Sequence, residues 1–519
     1  MLLGDYLLTP TRKLDLAFVI NDSPSMGPKR DKLAVHLPRM LDAFRGPNDR
    51  TLTSLRVAIF DGDLGSGGAI TEGACGPRNG SILGDEGAAQ IIGGPDCGMT
   101  DPGAHWIQSL TLSPANFSGD IIQVFACLAG GLAQSGCGYQ QPLQALAISA
   151  TDPGPASLPK FVRDNAYLGI IIISDQDDCS AFPNVGMLGS DLPGETAGLR
   201  CATRGHACGG QSLPYPTDVA FTSAFSDCSA RADTTCAAGT NFSEPTSCTP
   251  LADIHALAEK VKALKPDPDN QILVAGIFGW PLTEFDLATA EYKIAPIPNP
   301  AHTSDPQAPP TLYDLWPVCY DPDHPPSNPD PATGYDATAA GYGARPGLRL
   351  SAFIDEFGVN GLKFSMCQPD WSSAMNVLGE AGPKPMRSIC IDQELVDADP
   401  TTPSLDPDCI VEYLFPKSDD FVQPQCPNGY PRSPNFVPPG LDRQYTKTAF
   451  PRCDDTAPVA PCWEILTDSI WCPSSGQLLQ VNRSPESYGY TPVGVRIRVQ
   501  CRLSPGATSD WRVSTGCEY

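Results

Sequence analysis

The chain has 519 residues, with 34 Lys and Arg against 59 Asp and Glu and a net charge of −25, a length that holds roughly two to four average domains. That balance disfavours nucleic acid and anionic lipid as partners and suits a well-solvated surface or one that holds cations. Its 20 cysteines, an even number without a CxxC pair or zinc-like Cys/His spacing, form the framework expected of disulfides in an oxidising compartment.

The start carries no legible secretory signal. Leu2 and Leu3 are cut off from Leu7 and Leu8 by Gly4, Asp5 and Tyr6, whereas a signal needs a positive start and an unbroken apolar core. No apolar stretch approaches the ~20 residues that span a bilayer; the longest lies around Ile170 to Ile173. The expected location is extracellular, periplasmic or on the cell surface, with any lipid anchor upstream of Met1.

In chain order, the run Leu14 to Ile20 suits a strand buried on both faces and leads into a polar turn of Asn21, Asp22, Ser23 and Ser25. Pro28 and Asp31 precede a helical pattern with Leu33, Leu37, Met40, Leu41 and Phe44 on one face. Leu55 to Leu64 predicts a second strand ending in Asp61-Gly62-Asp63, an acidic turn expected to face solvent. The Gly-rich loop after it contains Cys75 and Cys97, expected to pair with each other; Cys127 and Cys137 are expected to bridge the junction between a helix at Ile121 to Gln134 and another from about Pro142.

Tyr167 to Ser174 is the strongest strand pattern, ending in Asp175, Gln176, Asp177 and Asp178. From 181 to 250 periodicity gives way to Gly, Pro, Ser and Thr with Cys201, Cys208, Cys228, Cys236 and Cys248, which predicts a disulfide-tied insertion. A helix follows with Thr249 as N-cap, Pro250 at its first position and Ile254, Leu257, Val261 and Leu264 on one stripe. Gln271 to Trp280 supplies another buried strand, so strands alternate with helices as in a parallel sheet covered on both faces. Residues 295 to 347, dense in Pro, Asp and Gly, predict a surface excursion with little regular structure; Leu348 to Gly358 and Asp370 to Gly382 predict closing helices. Beyond about Pro383, short apolar pieces among Pro, Asp and eight cysteines predict a small Cys-rich β domain.

The turn after the first strand and the acidic end of Tyr167 to Ser174 belong to the loops where open α/β sheets bind ligands. LDLAFVINDSPSM, a following helix, and YLGIIIISDQDD in a later strand together resemble the von Willebrand factor A (vWA) domain, in particular secreted or surface bacterial members with Cys-rich insertions. The resemblance implies a Rossmann-like α/β domain over residues 1–383, with insertions at about 65–115, 181–250 and 295–347, followed by the Cys-rich, mainly β domain at 384–519. It also implies a metal-ion-dependent adhesion site holding Mg²⁺, Ca²⁺ or Mn²⁺, made from a DxSxS motif after the first strand, a later Thr, and an Asp after the fourth strand. Carried over, Asn21 takes the place of the first Asp, Ser23 and Ser25 match the serines, and Asp175 matches the later Asp. Asp22, Asp177 and Asp178 are possible extra ligands.

Hard oxygen donors suit these cations, but Asn21 offers a neutral amide where the pattern has a carboxylate, and the loop Ser135 to Tyr139 has no Thr. The other reading of the turn is structural, with Asn21, Ser23 and Ser25 capping the next helix and bonding loop amides. Asp321, Asp323, Asp330 and Asp336 lack calcium-loop spacing and are expected to serve solvation. Six histidines are scattered without HExxH, and there is neither a GxSxG elbow nor a phosphate-binding loop. The absence of such motifs points away from catalysis, a hydrolase using the acidic strand ends being the remaining enzymatic reading. The resemblance implies adhesion-type binding of a protein or glycan partner through a cation that accepts the partner's acidic group. The alternative is a metal-free structural or interaction module of an envelope or extracellular assembly.

Overall fold

The computed structural model describes residues 13–45, 54–67, 75, 86–90, 94–110, 115–132, 136–163, 166–181, 185–188, 195–213, 223–232, 235–236, 248–265, 268–280, 292–299, 302–303, 305–327, 340–381, 388–390, 395–398, 407–416, 445–449, 451–453, 462–467, 477–482 and 496–501. The start of the chain and Ser135, Asp330 and Asp336 lie outside these residues.

A six-stranded sheet organises residues 13–381. Its strands are β1 (Lys13–Ile20), β2 (Ser54–Phe60), β3 (Ile107–Leu110), β4 (Tyr167–Ser174), β5 (Ile272–Phe278) and β6 (Gly361–Ser365), in the spatial order β6-β5-β4-β1-β2-β3. All neighbours run parallel except β3, which pairs antiparallel to β2 at the edge. The interior strands are those with continuous apolar runs: β4 is buried at every position and β1 at all but its first. Both edge strands, β3 and β6, were absent from the sequence expectation.

Helices cover both faces. They are α1 (Gly27–Arg45), α2 (Ile121–Gly130), α3 (Pro142–Thr151), α4 (Ala197–Gly205), α5 (Ile254–Lys262), α6 (Leu348–Asp355) and α7 (Ser372–Ala381). Successive side chains of β1 alternate between two cores. Leu14, Leu16, Phe18 and Ile20 pack with Leu33 and Leu37 of α1, Phe125 of α2 and Met375 of α7. Ala17 and Val19 pack with Leu143 of α3, Leu257 of α5 and Phe353 of α6. The helix expected from Thr249 starts at Ile254 instead, because Asp253 accepts the Ala256 N–H at 2.7 Å and caps it; the Thr249 hydroxyl donates to the Arg204 carbonyl.

Eight disulfides join described cysteines, and none of those cysteines is free. A framework of this kind is characteristic of proteins of oxidising compartments. The expected pairs are corrected: Cys75 joins Cys137, and Cys97 joins Cys127, so each Gly-rich loop cysteine is stapled to the α2 region rather than to its neighbour in the loop. The segment expected as a surface excursion is also corrected. The strand Tyr292–Pro298 runs into it and Thr311–Leu315 lies within it, and Leu315 is buried with Leu199 of α4 and Leu348 of α6. Beyond 383 the described residues form two three-stranded antiparallel sheets, one of them carrying the Cys409–Cys501 bridge directly across a strand pair. No described helix is long and apolar enough to cross a membrane.

A buried charge fixes the amino end of the sheet. Asp15 of β1 is fully buried and accepts from the Arg163 backbone N–H at 2.7 Å, from Nε at 2.8 Å and from Nη2 at 2.6 Å. Burial raises the Asp15 pKa, and the Arg163 charge and hydrogen bonds oppose that rise. Replacing Arg163 with Met leaves a buried carboxylate without its countercharge and is expected to cost about 3–5 kcal/mol at neutral pH. The raised carboxyl takes up its proton in the folded state before the unfolded state does, so the deficit in urea unfolding shrinks as pH falls from neutrality toward the ordinary carboxylate range.

Candidate functional site

The carboxyl ends of β1 and β4 lie side by side, with Ile20 in register with Ile173 and the Asn21 N–H donating to the Ile173 carbonyl at 2.9 Å. This pairing brings Asn21 next to Asp175. After Ile20 the chain turns through a short 3₁₀ segment, Pro24–Met26, into α1, so Ser23, Ser25 and the first turn of α1 stand over the same strand ends. Asn21, Asp22, Ser23 and Asp175 are buried; Ser25 is half-buried.

Asn21 is oriented by the backbone. Its Oδ1 accepts the Ser23 N–H at 2.7 Å, so its NH₂ group faces the other way and donates to Asp175 Oδ1 and Ser174 Oγ, each at 3.1 Å. Ser23 Oγ and Ser25 Oγ are hydrogen-bonded to each other at 3.0 Å. The second Asp175 oxygen, Oδ2, accepts from the Lys29 ammonium at 2.6 Å. Lys29 is 5% exposed and Asp175 2%. Burial lowers the Lys29 pKa, and the Asp175 charge and hydrogen bond oppose that shift. Arg30, the next residue, donates to the Leu132 carbonyl at 3.0 Å and feels the charges of Asp22 and Asp175.

Sequence reasoning does not single out Lys29 as a site residue, although the sequence carries a signal for it. The first turn of α1 contains no acidic residue and begins Gly-Pro-Lys-Arg, the wrong sign of charge for a helix N-terminus. A cation placed there needs a specific anionic partner, which Asp175 supplies.

The other acidic residues go elsewhere. Asp22 Oδ1 accepts from Gln140 Nε2 at 2.9 Å, and the backbone of Gly136 lies so close that a Cβ there would sit 1.8 Å from the same oxygen. In place of a Thr side chain, this loop therefore presents a glycine main chain to the strand ends. Asp177 and Asp178 both bond Arg349, the first at the Arg349 main chain and the second at its side chain. Asp177 accepts the Arg349 and Leu350 N–H groups at the start of α6 and pairs with His206 Nε2 at 2.6 Å. Asp178 accepts the Leu143 N–H near the start of α3, the Ser180 hydroxyl and Arg349 Nε, with both partners of the Arg349 ion pair buried. Asp61 and Asp63, expected to face solvent, are buried: Asp61 accepts the Asp63 N–H, and Asp63 accepts those of Gly65 and Cys137.

As arranged, these groups do not fit a divalent cation. The Asn21 oxygen faces a backbone amide, both Asp175 oxygens are hydrogen-bonded, and the acidic charge is met by an ammonium already in contact. No described group of three or more His, Cys, Asp or Glu is arranged to hold a metal. Beside the site, a narrow cleft lined by Gln140, Gln176, Asp177 and Arg345 has about 10 Å³ of room, enough for one water.

Removing Asp178 by substitution with Ala should cost about 3–5 kcal/mol, because it strands the buried Arg349 guanidinium, whereas Asp177→Ala removes a helix cap and the partner of the buried His206 Nε2 and costs about 2–4 kcal/mol. Thermal unfolding should show both losses unchanged by added Mg²⁺ or Ca²⁺, since neither carboxylate is committed to a cation.

No family model matches the chain, and no curated protein matches it. Among solved structures, the open conformation of the pilus adhesin SpaC from Lactobacillus rhamnosus GG aligns over 96% of this chain and 40% of its own, at 10% identity and a TM-score of 0.27. The pilus adhesin RrgA from Streptococcus pneumoniae aligns over 95% of this chain and 56% of its own, at 11% identity and a TM-score of 0.17. The chain thus spans about two fifths of the first of these adhesins.

Proposed function

We propose that this chain is an extracellular interaction protein built on a vWA-like α/β domain, one that engages a protein or glycan partner without catalysis and without a divalent cation at its strand ends. The observation that carries this reading is the 2.6 Å contact between Lys29 Nζ and Asp175 Oδ2. A dication entering that position has to expel a buried ammonium or sit against it, and repulsion between like charges at such range is strong in a low-dielectric site. The vWA-like part of the proposal is supported by the juxtaposition of Asn21, Ser23 and Ser25, which follow β1, with Asp175, which follows β4. The extracellular part is supported by the eight disulfides.

Calorimetric titration of the oxidised, chelator-stripped protein with Mg²⁺, Ca²⁺ and Mn²⁺, beside an Asp175→Ala variant, tests the proposal. Neither protein should give saturable heat up to millimolar metal. Saturable binding by the native protein that the variant loses would overturn the metal-free reading and restore the cation implied by the sequence resemblance.

A further inference from the structure

Lys29 has three ammonium protons and three acceptors. Besides Asp175 Oδ2 it donates to the Gly343 carbonyl at 2.7 Å and to the Ser25 carbonyl at 3.3 Å. Gly343 belongs to a segment, residues 340–347, that crosses the carboxyl ends of β4 and β5. Along that segment the Arg345 N–H donates to the Asp175 carbonyl at 2.9 Å, Pro346 bridges to Gly279, and the Gly347 N–H donates to the Gly279 carbonyl at 3.2 Å. The crossing is tight: a Cβ on Gly279 would sit 1.7 Å from the Arg345 carbonyl oxygen.

The segment is also held from its outer side. Gly343 and Ala344 pair antiparallel with Cys319 and Tyr320, and Cys319 is bonded to Cys367, two residues beyond the end of β6. The Arg345 side chain donates to Asp314 and to the Leu315 carbonyl. The strand ends are thus roofed by the chain itself, and Asp175 is bonded from below by Asn21, from the side by Lys29 and through its carbonyl by the roof.

We propose that the Lys29 ammonium is the resident cation of this site and the Gly343 carbonyl its resident ligand, so that segment 340–347 is clamped over the carboxyl ends of the sheet and closes them to outside partners in the native protein. Lys29 is a positioning residue in this scheme. It neutralises Asp175 and transmits that anchorage to a segment 314 residues away in sequence. The inference rests on the metal-free reading above and adds that the ammonium is both what excludes a dication and what holds the roof.

Two measurements test it. The first is hydrogen exchange of the amides in 340–347, the Arg345 amide above all, in the oxidised Lys29→Met/Asp175→Asn variant, which removes both charges together and leaves neither stranded. Exchange there should be about tenfold faster than in the native protein, with the protection of β1 and β4 retained. The second is Mn²⁺ titration of Asn21→Asp and of Asn21→Asp/Lys29→Ala, which supply the extra carboxylate with and without the ammonium. Only the double variant should bind, and its binding should disappear when Asp175 is also replaced by Ala. Unchanged protection of 340–347, or equal behaviour of the two Asn21→Asp proteins toward Mn²⁺, overturns the inference. Metal binding by the native protein would instead remove the functional reading on which it rests.

Discussion

The arrangement of the strand ends depends on an ammonium and a carboxylate meeting out of water. Bringing two charges into a protein interior costs several kcal/mol per ion, and their attraction repays it only when the remaining donors and acceptors are also satisfied. Here they are: Asp175 receives Asn21 on one oxygen and Lys29 on the other, and Lys29 spends its other two protons on carbonyls. Such a pair gives little net stability compared with apolar side chains of similar size, but it tolerates very few alternatives. What it contributes is geometry, fixing the turn after β1, the first turn of α1 and the segment at 343 with respect to one another.

The scaffold around this contact carries the energy. Two apolar cores, one on each face of the sheet, supply the burial, and three disulfides stand close to the carboxyl ends of the strands. Cys75–Cys137 ties the loop after β2 to the glycine backbone beside Asp22, Cys179–Cys201 ties the end of the β4 loop to α4, and Cys319–Cys367 ties the roofing hairpin to the region after β6. Loops in α/β folds usually provide adaptable binding surfaces. In this protein several are cross-linked and bonded through buried carboxylates such as Asp63, Asp177 and Asp178, so the strand-end loops are tied to one another at many points.

How much of this was legible in the sequence follows from what each feature depends on. The interior strands β1, β2, β4 and β5 announce themselves because burial on both faces demands an unbroken apolar run. The edge strands do not: β6, GLKFS, is half-exposed over four of its five positions, and β3, IQSL, is only four residues long. The contact of Asn21 with Asp175 follows from the strands before them, because Ile20 and Ile173 are in register in a parallel sheet whose strand order is predictable. The ammonium partner of Asp175 was not legible, because nothing local says which strand end a lysine four residues beyond Ser25 will reach. Disulfide pairing failed for the same reason. Cys75 bypasses Cys97 and closes on Cys137, 62 residues away, a choice made by tertiary proximity alone. The turn Asp61 to Asp63 is buried rather than solvated because Asp63, besides its local bond to Gly65, also accepts the Cys137 amide of a distant loop, which no sequence pattern displays.

The two contacts of Lys29 also have a consequence for the order in which the molecule is built. Asp175 lies 146 residues downstream and Gly343 lies 314 residues downstream, so a chain emerging from its N-terminus presents the ammonium long before either acceptor exists. During that interval the local Ser25 carbonyl and water are the acceptors available to it. The roofing hairpin needs in addition a disulfide to Cys367, which forms only after the chain has entered an oxidising compartment. The closed site therefore cannot be complete until Asp175, Gly343 and Cys367 have all emerged, whatever the rest of the chain has done by then.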